Sequence, residues 1–209
     1  WSSCWWRYHH RIRYRSRWLQ NRAHSALIVA KPESFQLEIV DRLSDISTLE
    51  WNALLTDDAG PFLHHEFLSA LEETNCVGGN TGWQIAHLII KDGEQLIGAM
   101  PLYLKQHSYG EFVFDWSWAQ AYEQQGMQYF PKALCAIPFT PVQGSRILSN
   151  QQRDHSEIEK TLIQGLKTLV IQNHLSSAHV LFPMGSEAKA LHEQGFMLRD
   201  SVQFHWHNQ

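Results

Sequence analysis

WQIAHLIIKDGEQLIGAMPLYLK, residues 83–105, decides the fold. Two apolar runs, 83–91 and 95–105, flank Asp92-Gly93. That dipeptide favours a tight turn whose central positions want positive φ, which glycine adopts without steric penalty. The spacing predicts two antiparallel strands joined as a hairpin. Upstream, Leu37-Glu38-Ile39-Val40 alternates as a short strand. Ser47 or Ser44 caps a helix carrying Leu49, Trp51, Leu54 and Leu55, and DDAGP at 57–61 stops it. FLHHEFLSALEE (62–73) places Phe62, Leu63, Phe67, Ala70 and Leu71 on one helical face, and 76–82 is a Gly-rich loop.

Downstream lies GEFVFDWSWAQAY, residues 110–122. Phe112 and Phe114 alternate with Glu111 and Val113, so 110–115 reads as a third strand with both Phe rings in the core. Asp115-Trp116-Ser117-Trp118 is not ordinary core, because an acid and two amphipathic rings want a polar partner. A helical stretch covers 117–126, 127–141 is loop-like with Pro131, Pro138 and Pro141, and 142–149 is another strand. The period then changes. Residues 155–174 place Ile158, Leu162, Leu166, Leu169 and Val170 on one helical face, with Ser156 and Glu159 matching a capping box. A strand at 178–182, a helix at 186–195 ended by Gly195, and a final extended segment at 196–208 complete the order. That order is α+β with a mixed sheet.

The 209 residues suit one domain of ordinary size, or one domain with an appendage, and 44% hydrophobic content supports a real core. Cys4, Cys76 and Cys135 are scattered and odd in number, which argues for a reducing, cytoplasmic setting rather than a disulfide framework. No apolar run approaches the length of a transmembrane helix. The net charge of −4 is uneven: residues 1–31 hold seven bases and no acid, and the other 178 residues hold ten bases against all 21 acids. An acidic body is a poor partner for DNA or RNA phosphates.

Residues 1–35 form a separate object, Arg-rich and aperiodic, with Trp1, Trp5, Trp6 and Trp18. Three readings compete: a transit-like presequence, a basic nucleic-acid or membrane arm, and sequence foreign to the functional protein. The last is favoured, since so many Trp side chains ill suit a soluble tail. The segment is thus expected to be a leader outside the fold, disordered or non-native, leaving 36–209 as the folded unit.

The element order, the run 98–122, YFPKALCAIPFTPVQGSRIL (129–148) and QFHWHN (203–208) resemble the FemAB-like predicted N-acyltransferases, a peptidoglycan biosynthesis or recognition family. The resemblance runs from about Leu37 to the last residue. It implies a GNAT-like, mostly antiparallel sheet flanked by helices. It also implies transfer of an acyl or aminoacyl group from an activated donor to a small-molecule or peptide amine. Acyl-CoA or aminoacyl-tRNA would be the donor substrate, with no tightly bound cofactor. Since the family pairs two such units, a second acyltransferase unit is expected in the full-length protein. The competing reading is a non-catalytic module recognising a cell-wall or peptide amine.

Aromatic rings beside carboxylates suit a cationic acceptor through cation–π and ion-pair contacts. Tyr103, His107, Tyr109, Trp116, Trp118 and Tyr122 are the candidate acceptor-binding residues, with Glu111 or Asp115 as general base. GNAT enzymes cradle donor phosphate at a helix N-terminus, which here falls on Gly144-Ser145-Arg146 before 155–174. A plain strand–loop–helix competes, because no Gly-rich phosphate run is present and Asp154 and Glu157 oppose an anion. His64-His65, His107 and His205-x-His207 lack a completing Cys or acid, so no metal is expected. Cys135 reads as an inert small hydrophobe.

Overall fold

The computed structural model describes residues 2–7, 35–57, 59–113, 115–200 and 202. Its strands are β1 (Ser2–Arg7), β2 (Phe35–Val40), β3 (Trp83–Ile85), β4 (His87–Asp92), β5 (Gln95–Met100), β6 (Leu102–Lys105), β7 (Lys132–Cys135), β8 (Leu148–Ser149), β9 (Ser177–Leu181) and β10 (Met197–Asp200). The helices are α1 (Thr48–Asn52), α2 (His65–Glu73), α3 (Trp116–Gln124), α4 (His155–Gln172) and α5 (Gly185–Glu193). One sheet runs β10-β1-β9-β7-β6-β3 and the other β2-β4-β5-β8. Every pairing is antiparallel except β7 with β9. The fold is therefore α+β and mostly antiparallel, consistent with a GNAT-like arrangement.

The hairpin is the axis of this architecture. Ile85 faces Tyr103 and Leu88 faces Met100, so the register continues across the break at Ala86 and Pro101. Pro101 has no N–H for a ladder, and here each arm passes from one sheet to the other, β4 and β5 staying paired in one and β3 and β6 in the other. β5 takes β8 on its free edge, whereas β6 takes β7, so one hairpin belongs to two diverging sheets. His87 secures the junction: its Nδ1 accepts from the Leu102 N–H at 3.1 Å.

Helix α4 fills the angle between the sheets. Its Ile158, Leu162, Ile163, Leu166, Leu169 and Val170 pack with Leu88, Ile90 and Ile97 of one sheet and Leu102, Cys135 and Val180 of the other. Gly98 permits this close approach, since a Cβ there would lie 2.6 Å from Ile158 Cγ2. Helices α1 and α2 and the chain between them cover the outer face of the four-stranded sheet through Trp51, Leu54, Leu63 and Leu68. Among the described residues no helix is long and apolar enough to cross a membrane.

Several expectations need correction. Of the expected strand at 110–115, residues 110–113 and 115 are irregular: Gly110 and Phe112 have φ of 80° and 57°, and Phe112 is 56% exposed rather than core. Phe114 lies outside the described residues. The loop expected over 127–141 contains β7, whose four residues are all buried. Burial on both faces removes the alternation that marks a strand. Only Leu148–Ser149 of 142–149 pairs as β-structure. Asp154, not Ser156, caps α4, its carboxylate accepting from the N–H groups of Ser156 and Glu157. The 62–73 stretch is a 3-10 turn (Pro61–Leu63) followed by α2, with Leu63, His65 and Leu68 buried and Ala70 exposed.

The reading of 1–35 as outside the fold fails for Ser2–Arg7, which pairs with β9 on one side and β10 on the other. Cys4 enters the core beneath α4 and α5, and Trp5 packs against His179 on the opposite face. A strand covered on both faces shows no period. Residue 1 and residues 8–34 of the leader, and the pair His205 and His207, lie outside the described residues.

Candidate functional site

The face of the six-stranded sheet turned away from α4 carries unusual side chains. Alternation along β6 brings Tyr103 and Lys105 to this side, β7 contributes Lys132, β9 contributes Ser177 and His179, and β1 contributes Trp5. Lys105 and Lys132 are direct cross-strand partners, and both are fully buried. Buried cations require partners. These come from the segment 106–130, which folds back over the sheet. Lys132 Nζ donates to Glu111 Oε2 at 2.8 Å and to Asp115 Oδ2 at 2.6 Å. The Tyr129 hydroxyl donates to Asp115 Oδ2 at 2.7 Å. Lys105 Nζ donates to the Tyr109 carbonyl at 3.2 Å and lies 3.6 Å from the Trp83 ring centroid.

Aromatic rings close the cluster. Trp118 meets Trp5 edge-on at 4.8 Å, and Tyr122 meets Tyr129 at 5.1 Å. His179 lies between Trp5 and Tyr129, with Ser177 Oγ 2.8 Å from its Nε2. Trp116, Gln120 and Glu123 of α3, with Met127, Tyr129 and Phe130 after it, line a shallow depression of about 470 Å³. Tyr129 thus joins this depression to the buried carboxylates.

Electrostatics follow from burial and pairing. Burial raises the Glu111 pKa against the pull of Lys132. Burial acts in the same direction on Asp115, but Lys132, the nearby Ser108 and Tyr129 outweigh it and hold that carboxyl below its usual range. Burial pushes the Lys105 ammonium down to about 7, opposed by Glu111 and reinforced by Lys132. His179 is held well below the usual imidazole range by burial and by Lys132. Four buried side-chain atoms among the described residues have no donor or acceptor in hydrogen-bonding geometry: Trp5 Nε1, Tyr103 Oη, Glu111 Oε1 and Asp115 Oδ1. All four belong to this face of the sheet or to the segment above it. Burying such groups unpaired is costly, so native proteins rarely tolerate it without purpose.

The structure brings Glu111, Asp115, Trp118 and Tyr122 together around Lys132 and Tyr129. Tyr109 and Trp116 stand exposed at the rim, rings 5.6 Å apart, with His107 beside Tyr109 and bonded to the Thr81 carbonyl. Tyr103 is fully buried and faces Trp83 and His87 instead. Lys132, Tyr129, His179 and Trp5 escaped the sequence reading. A lysine bordering a short apolar run, as in Lys132-Ala133-Leu134-Cys135, is the signal that was there to find.

Gly144, Ser145 and Arg146 lie elsewhere and form no open anion cradle. Arg146 is fully buried, its guanidinium donating to the carbonyls of Leu181, Ser145 and Val142 at 2.7–2.9 Å. Ser145 borders a second cavity of about 330 Å³ near the starts of α4 and α5. Both helix starts are already served by carboxylates of this chain. Asp154 caps α4, while Glu187 accepts from the N–H groups of Met184, Arg146 and Ile147. An incoming phosphate would meet negative charge at each.

No group of three or more His, Cys, Asp and Glu side chains placed to hold a metal occurs among the described residues. No curated protein and no solved structure matches the chain. The family model of FemAB-like proteins, described as peptidoglycan biosynthesis/recognition, matches residues 42–209, which include both carboxylates, both lysines and the rings over them except Trp5. With most of its length matched, the chain belongs to the FemAB-like family of peptidoglycan biosynthesis and recognition.

Proposed function

We propose that this protein transfers an acyl or aminoacyl group from an activated donor, acyl-CoA or aminoacyl-tRNA, to an amine of a cell-wall precursor or peptide. The observation that carries this reading is the pair Glu111 Oε1 and Asp115 Oδ1, two buried carboxylate oxygens that have no partner in hydrogen-bonding geometry among the described residues, beneath an aromatic cover. A bound ammonium supplies the donors they lack, and neighbouring rings favour its charge. An ammonium must lose a proton before its nitrogen can attack a carbonyl. Glu111, with its raised pKa, is the better placed acceptor of that proton, while Asp115 stays ionised on Lys132 and holds the charge. On this reading the reaction runs in the cytoplasm, where such donors are made, and a second acyltransferase unit completes the cleft.

The test is mass-spectrometric detection of transferred acyl group with a panel of acyl-CoA and aminoacyl-tRNA donors and amine acceptors. Glu111→Gln is expected to lower turnover by about 10²–10⁴-fold, the usual contribution of a positioned base. Unchanged turnover in this variant would remove Glu111 from the chemistry. The helix starts filled by Asp154 and Glu187 favour a second reading, a non-catalytic module that binds an amine through the same carboxylates. Loss of acceptor affinity in Asp115→Asn, with no turnover from any donor, would select that alternative.

A further inference from the structure

Lys105 and Lys132 stand directly opposite each other on β6 and β7. Side chains so paired have Cβ atoms about 4.5–5.5 Å apart, where like charges repel. The two lysines are not served alike. Both carboxylates contact Lys132, at 2.8 and 2.6 Å. Among the described residues, the contacts of Lys105 Nζ are the Tyr109 carbonyl and the face of Trp83. A carbonyl accepts from a neutral amine as well as from an ammonium, so the hydrogen bond survives loss of charge. The groups facing Lys105 are Lys132 on β7, Glu111 and Asp115 on the covering segment, and Trp83 on β3.

We infer that Lys105 is the uncharged amine of this cluster and stores the proton that an acceptor ammonium sheds to Glu111. Burial, which pushes its pKa to about 7, agrees with this assignment. The role rests on the acyl-transfer reading. An R–NH₃⁺ group held at Glu111 loses one proton, the N–H electron pair staying on nitrogen. The proton passes from Glu111 through one bridging water to Lys105 Nζ, which feels the Glu111 charge without touching it. The neutral nitrogen then forms a C–N bond to the carbonyl carbon of an acyl ester or thioester. The C–O or C–S bond breaks, and the second nitrogen proton leaves with the alkoxide or thiolate. Lys105 returns its proton to water. It acts through Glu111 and is therefore a positioning and relay residue.

The chain has seven lysines, few enough for each side-chain Nζ–Cε signal to be followed by NMR during a pH titration of the full chain. One lysine is expected to titrate near 7, and its signal to vanish in Lys105→Arg. A wild-type protein in which no lysine titrates below about 9 overturns the proposal, whatever its turnover. Arginine keeps its proton, so Lys105→Arg should transfer acyl groups about 100-fold more slowly at neutral pH and recover as the acceptor deprotonates itself in alkali. Loss that is uniform across pH marks a purely structural role and overturns the proposal alone. Absence of transfer from every donor overturns the transferase reading and this role with it.

Discussion

Lys132→Met tests the electrostatic logic of the site most directly. The change keeps an unbranched side chain of similar length and removes the one ammonium that serves both Glu111 and Asp115, at 2.8 and 2.6 Å. Breaking a buried ion pair by deleting one partner costs about 3–5 kcal/mol, because the other charge stays buried and uncompensated. Two charge-assisted hydrogen bonds at about 1.5–3 kcal/mol each lead to the same range. Against a typical domain stability of about 5–15 kcal/mol, that loss is large. The assay is urea denaturation of wild type and variant at pH 5 and pH 8. Without Lys132, burial and mutual repulsion lift both folded-state pKa values above the unfolded values of about 3.9 and 4.3. A group raised in this way binds its proton on folding, so variant stability falls as pH rises from the unfolded toward the folded pKa. The deficit should therefore reach about 3–5 kcal/mol at pH 8 and shrink at pH 5. Combining Lys132→Met with Glu111→Gln and Asp115→Asn should recover much of it. A deficit under about 1 kcal/mol at pH 8, or one equal at both pH values, would refute the claim that these carboxylates depend on Lys132 in a buried setting.

Two further changes probe the surroundings. Gly110 has φ 80°, and a Cβ there would lie 2.6 Å from Phe139 Cε1 and 3.1 Å from Trp83 Cζ2. Gly110→Ala should destabilise by about 1–3 kcal/mol, read as a lowered melting temperature, and an unchanged value would argue against this backbone geometry. Deleting residues 1–7 should expose the ladder edges of β9 and β10, lower the melting temperature and promote oligomers by light scattering. A monomeric product of unaltered stability would show that Ser2–Arg7 contributes nothing to the sheet.

Part of the fold was legible because it is local. The hairpin follows from the turn signal at Asp92-Gly93 between apolar runs, and α4 from the spacing of Ile158, Leu162, Leu166 and Leu169. Asp92 nevertheless pairs with Gln95, so the turn itself is Gly93-Glu94, with positive φ at Gly93 alone of these. Where the local pattern misled, a particular cause can be named. Glu111-Phe112-Val113 alternates like a strand, yet positive φ at Gly110 and Phe112 turns the chain and puts the Phe112 ring in solvent. β7 and β1 were invisible because both faces of each are covered, which erases the period of two. Of the site, Glu111 and Asp115 were visible as acids among rings, which needed a polar partner. That partner, Lys132, lies 21 and 17 residues further along the chain.

The sequence by itself determined the element types that depend on neighbours a few residues apart: hairpin, amphipathic helices and the α+β order. Tertiary structure alone decided that β5 and β6, arms of one strand run, enter different sheets at Pro101. It also decided that β6 and β7 pair in the register that sets Lys105 against Lys132. Register is chosen by which faces can be buried together, a property of the assembled sheets and not of any single strand. Two acids and two lysines scattered over 105–132 become one buried cluster only once that choice is made.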